Sequence, residues 1–131
     1  MPASSLIAHS HPDGHFSVFT GYLTNHTING VIAQATNGST IIIEHRFFGH
    51  SNPYPVLSTQ GLQVHTIAQA VEDLAYFAKN VKLPQPNGDQ VAPGKAPWVL
   101  VGGSYSGALV SYAMHTYVRS SIVRLSLVYL G

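Results

Sequence analysis

The sequence predicts an α/β fold in which parallel strands are covered by helices. Three observations predict it. Apolar residues recur at helical spacing in two separate stretches, one around Val31 and one around Leu74. Two short apolar runs, Thr40–Glu44 and Trp98–Val101, are bounded by turn-forming residues and read as strands. The elements alternate as helix, strand, helix, strand, helix, and such alternation argues for a parallel sheet with right-handed crossovers.

A chain of 131 residues that is 45% hydrophobic and 8% charged can build one core and leaves a sparsely charged surface. A formal net charge of +1 with scattered Lys and Arg gives no footprint for nucleic acid or an acidic membrane. The absence of cysteine excludes disulfides and thiolate metal sites. No cofactor and no metal is expected. No apolar run reaches the roughly 18 to 20 residues of a membrane span. The N-terminus lacks the basic region and long apolar run of a signal peptide. Asn25-His26-Thr27 and Asn37-Gly38-Ser39 match the glycosylation acceptor pattern.

Residues 1–20 show no periodicity and are expected to be a loop or disordered arm. His9, His11 and His15 form a small cluster that could bind a metal but reads as part of a solvated tail. From Thr27, Ile28, Val31, Ile32 and Ala35 follow helical spacing, with Asn25 or Thr27 as cap and Gly38 as stop. Thr40–Glu44 contains three consecutive isoleucines and reads as a strand buried on both faces. The loop after it, Arg46 to Pro55, cannot continue as sheet because of its two prolines. A second helix is expected from about Thr66 to Asn80, opened by a Thr66/Gln69 capping box. Its stripe is Ile67, Ala70, Val71, Leu74, Phe77, Ala78 and Val81, with Glu72, Asp73 and Lys79 facing water. Leu83 to Pro97 is rich in Pro, Gly and Asn and reads as a loop. Trp98–Val101 is the next strand, and Gly107 to about Tyr117 the last helix.

The turn Gly102-Gly103-Ser104-Tyr105-Ser106-Gly107 between that strand and helix carries the chemistry. A serine hydroxyl needs a base to take its proton and donors to hold the oxyanion formed on attack. A glycine-bounded turn from strand to helix lifts a serine to the apex of a parallel sheet, as in hydrolases. Ser104 is therefore the candidate nucleophile. The Tyr105 backbone N–H, at the helix start, is the candidate oxyanion donor. Ser106 takes the place of the last glycine in a strict G-x-S-x-G pattern. It is the weaker candidate, because Ala108 stands where its own second glycine would be.

Three segments together resemble the prolyl-carboxypeptidase family of serine peptidases, which includes dipeptidyl peptidase II and fungal secreted relatives. They are Glu44-His45-Arg46-Phe47-Phe48-Gly49-His50-Ser51-Asn52-Pro53, Thr66 to Phe77, and Gly102 to Leu109. The likeness covers roughly Thr20 to Tyr117. It implies a partial α/β-hydrolase core over 21–117, a non-family arm over 1–20 and a divergent segment over 118–131. It also implies a peptide substrate cleaved near proline, by a carboxypeptidase or dipeptidyl-peptidase action. The expected setting is extracellular, lysosomal or vacuolar, which suits glycosylation at Asn25 and Asn37. Ser104 and Tyr105 match the family's nucleophile and oxyanion positions. Glu44, His45 and Arg46 are expected to line the site, or Glu44 and Arg46 instead to brace the loop through an internal ion pair.

The chain also departs from the family. No Gly-Gly-Glu-Gly-like turn precedes Gly21, and the helical cap domain has no counterpart. The triad Asp and His follow the serine in chain order, yet after Ser104 there is no Asp and only His115. His115 would lie roughly 16 Å from Ser104 along one helix, beyond hydrogen-bond reach. His45 or His50 could approach Ser104 from the loop. The expectation is an inactive fragment of a serine peptidase. Alternatives are a lipase or esterase of the same fold, or a non-catalytic fragment that self-associates through exposed sheet edges.

Overall fold

The computed structural model describes residues 4–9, 21, 23–91, 95–117 and 125–129, with 4–9 and 125–129 described by their backbone. Seven principal elements follow in order: β1 (Ser4–His9), α1 (Ile28–Thr36), β2 (Ser39–Glu44), α2 (Ile67–Asn80), β3 (Trp98–Gly103), α3 (Ser104–Tyr117) and β4 (Leu125–Tyr129). The four strands form one sheet in the order β2-β1-β3-β4, and every pairing is parallel.

The helices start and stop for local reasons. Thr27 caps α1 by accepting from the Gly30 N–H at 3.3 Å. Asn37, not Gly38, takes the left-handed position after α1, with φ 50°. Asparagine tolerates that region, and the Gly38 N–H then reaches back to the Ala33 carbonyl. Thr66 caps α2 by accepting from the Gln69 N–H at 3.2 Å. Ile67 is 43% exposed, so the buried stripe of α2 begins one turn later, at Ala70.

The period of two along the strands divides the core. Trp98 and Leu100 of β3, with Ile41 and Ile43 of β2, face Leu74 and Ala78 of α2 and Leu109 and Val110 of α3. Val99 and Val101 face the opposite way, with Ile42 of β2 and Ile32 of α1. Thus α2 and α3 cover one face and α1 the other. β3 is buried along nearly its whole length, whereas β2 is half-buried. The expectation that β2 is buried on both faces is corrected, because β2 stands at the end of the sheet order.

Two segments depart from the sequence reading. Ser4–His9, expected within a disordered or non-family arm, forms β1 between β2 and β3, with Leu6 opposite both Ile41 and Leu100. Ser-Ser-Leu-Ile-Ala-His has no strong pattern of its own; pairing on both sides fulfils its backbone hydrogen bonds. Within the divergent 118–131 segment, Leu125–Tyr129 is β4, paired with β3 from Val99 to Gly103. His11 and His15 lie outside the described residues.

The chain leaves β1 toward β2 on one side and leaves β3 toward β4 on the other. That reversal puts a switch point between the carboxyl ends of β1 and β3, where crevices form in open α/β sheets. Ser104 is the residue immediately after β3.

Candidate active site

Ser104 has φ 51°, the left-handed region that non-glycine residues seldom occupy. It is exposed and opens α3 directly, three residues before the expected helix start at Gly107. A side chain on Gly102 would overlap the Ser106 carbonyl and come within 2.8 Å of the Gly107 amide nitrogen. Strand and helix can meet this closely because position 102 has no Cβ. Ser106 is buried, 6% exposed, whereas Ser104 is exposed. Tyr105 lies in the first turn of α3, where backbone N–H groups have no carbonyl partner within the helix.

The other predicted residues gather on the loop after β2. His45 is 7% exposed. Its Nδ1 lies 2.7 Å from the Arg46 carbonyl oxygen and its Nε2 3.2 Å from the Tyr105 hydroxyl. A carbonyl only accepts, so Nδ1 carries the proton and Nε2 accepts from the tyrosine hydroxyl. Burial pushes the His45 pKa below its ordinary 6.5, and nearby His65 and Arg46 act in the same direction; the Arg46 carbonyl and Asp73 oppose them. The rings of Phe48, His65 and Tyr105 surround His45 edge-on, with centroids 5.3 to 5.7 Å away. Burial also raises the Tyr105 pKa.

Arg46 does not pair with Glu44, as the sequence reading expected. Its Nε and one terminal nitrogen donate to the two Asp73 oxygens at 2.6 and 2.7 Å, and the other terminal nitrogen donates to the Val64 carbonyl at 2.6 Å. Donating to the Asp73 carboxylate raises the Arg46 pKa. Asp73, expected to face water, is thus half-buried against the loop. Glu44 accepts from the Ser51 N–H at 2.7 Å, closing the loop on itself. Gly49 sits over that carboxylate with φ 53°, and a Cβ there would strike Glu44 Oε1. Two residues were missed: Asp73, and Tyr105 as a side chain. The available signal for Asp73 was its place beside the apolar stripe of α2.

A cavity of about 20 Å³ lies under the loop, lined by His45, Arg46, Asp73 and Leu74 among others. A wider groove of about 580 Å³ runs between the loop and α2 past Glu44, Arg46, Tyr76 and Phe77. Ser104 lines neither. His50 is exposed on the loop, and His115 is exposed in the last turn of α3, at the far end of the helix that Ser104 opens. Asn25 and Asn37 are both exposed.

The family model described as serine carboxypeptidase S28 matches residues 16–122. Among individual proteins, the chain is 43% identical over 91 residues to the serine protease vicPa of Bipolaris victoriae, covering 70% of this chain and 17% of that protein. It is 45% identical over 87 residues to the "Probable extracellular serine carboxypeptidase" of Arthroderma benhamiae, covering 66% of this chain and 12% of that protein. It is 33% identical over 92 residues to the "Probable serine protease EDA2" of Arabidopsis thaliana, covering 69% of this chain and 19% of that protein. The chain therefore spans less than one fifth of the length of these relatives.

Proposed function

The chain belongs to the serine carboxypeptidase S28 family, and from that membership we propose that it carries the nucleophile-bearing part of a peptide-hydrolysing site on an α/β-hydrolase core. Ser104 is the nucleophile, and the Tyr105 N–H donates to the oxyanion. The observation that carries this reading is the exposed Ser104 at φ 51°, between a buried strand and the helix it opens. A conformation that strained persists where the surroundings enforce it, and such sites cluster at reactive residues. The substrate is a peptide cleaved beside proline from one chain end. The setting is extracellular, in keeping with the name of the Arthroderma relative and with the exposed acceptors Asn25 and Asn37.

Among the described residues, no histidine is hydrogen-bonded to Ser104, and in this reading the nucleophile and oxyanion donor stand without a base there. His45 has both ring nitrogens engaged, and His115 is roughly 16 Å along the helix. A nucleophile without its base retains only the rate that binding and oxyanion donors provide.

A fluorophosphonate probe tests both halves. The 131-residue chain should label slowly, and added imidazole, standing in for the missing base, should speed the reaction. Ser104→Ala should remove it. Rapid labelling without imidazole would refute the missing base. Labelling that persists in Ser104→Ala would refute the nucleophile.

A further inference from the structure

We infer that His45 is a positioning residue, which fixes the Tyr105 N–H through the Tyr105 side chain. This rests on the reading of Ser104 and Tyr105 given above and assigns their geometry to a hydrogen-bonded relay. The relay begins at Asp73 on α2, which grips the Arg46 guanidinium at two points. Arg46 is held a third time at the Val64 carbonyl, so the backbone after β2 has little freedom. That backbone presents the Arg46 carbonyl to His45 Nδ1 at 2.7 Å, which sets both the ring orientation and the tautomer. The unprotonated Nε2 then accepts from the Tyr105 hydroxyl, 60 positions away in sequence.

Tyr105 immediately follows the strained serine. A side chain tied at its far end to a buried histidine limits rotation of its own peptide group. The N–H that would meet an oxyanion is thereby aimed before any substrate arrives, and pre-aimed donors give oxyanion sites their effect. Phe48 and His65 pack edge-on against the His45 ring. His45 therefore acts through Tyr105, without proton transfer to or from Ser104.

Tyr105→Phe tests this, since it removes one oxygen and keeps the ring. Backbone ¹⁵N relaxation and His45 ring ¹⁵N shifts are recorded for the wild-type chain, Tyr105→Phe and His45→Gln. Wild type should show His45 protonated at Nδ1 and a rigid Tyr105 amide. Tyr105→Phe should loosen the Ser104 and Tyr105 amides while leaving those of α2 unchanged, and should lower the imidazole-assisted labelling rate by about tenfold. His45→Gln should loosen the same two amides. The inference is overturned if these amides stay as rigid in Tyr105→Phe as in wild type, or if His45 carries its proton on Nε2. The relaxation data do not depend on Ser104 reactivity. A failed nucleophile assignment would instead appear as labelling that survives Ser104→Ala.

Discussion

A left-handed backbone costs a non-glycine residue about 1–3 kcal/mol, and Ser104 bears that cost at the end of a buried strand. The glycine two positions before it removes the clash that would otherwise separate strand from helix. This much was legible in the sequence, because the spacing of small residues around a serine encodes the turn. The partner of Arg46 was not legible. Glu44 and Asp73 are both acidic, and only the path of the loop decides which one the guanidinium meets. His45 also sets a pH dependence. Its pKa is lowered on folding, so between that value and 6.5 the unfolded chain binds more protons than the folded one. Stability therefore rises with pH across this interval and falls as the solution is acidified through it. His65, Arg46, Asp73 and Tyr105 are the titratable and charged groups that face the ring. Urea midpoints at about pH 7.5 and about pH 5 should differ more for wild type than for His45→Gln. Equal differences would place the titration elsewhere.

At the level of elements, the helices and the strands β2 and β3 declared themselves, whereas β1, inside the sheet, and β4, at its end, did not. Thr66 and Gln69 mark the start of α2 because a capping side chain is a local requirement. Trp98 to Val101 reads as a buried strand because an apolar run bounded by proline and glycine admits few other fates. β1 and β4 owe their state to pairing with β3 or β2, which no local pattern in Ser4–His9 announces. The tie between the loop after β2 and α2 is testable at this scale. Asp73→Asn leaves the 16%-exposed Arg46 guanidinium without its counter-charge. Asp73 itself is 45% exposed, so water offsets part of the loss. The expected cost is about 1–2 kcal/mol in urea unfolding. A variant as stable as wild type would mean that the loop is held by Glu44 and the aromatic cluster alone.

For the whole molecule, the sheet order places β1 and β3 side by side with their connections departing in opposite directions, and Ser104 directly follows β3 at that switch point. The α/β class followed from alternation alone. The order did not, since it depends on a strand the sequence left unassigned. Among the described residues, β2 and β4 are the outer strands of the sheet. Ser39–Glu44 carries no lysine or proline to guard its edge, and its one charge is engaged with Ser51. Light scattering should show the mass of the isolated chain rising with concentration. A monomer mass at every concentration would mean that this edge is covered.

The central claim is that the turn after β3 presents the Ser104 hydroxyl for attack. Tandem mass spectrometry of the chain after prolonged fluorophosphonate treatment tests it most directly. The account predicts an adduct on Ser104, retained in Ser106→Ala. An adduct on Ser106, or one spread over unrelated serines and tyrosines, would contradict it.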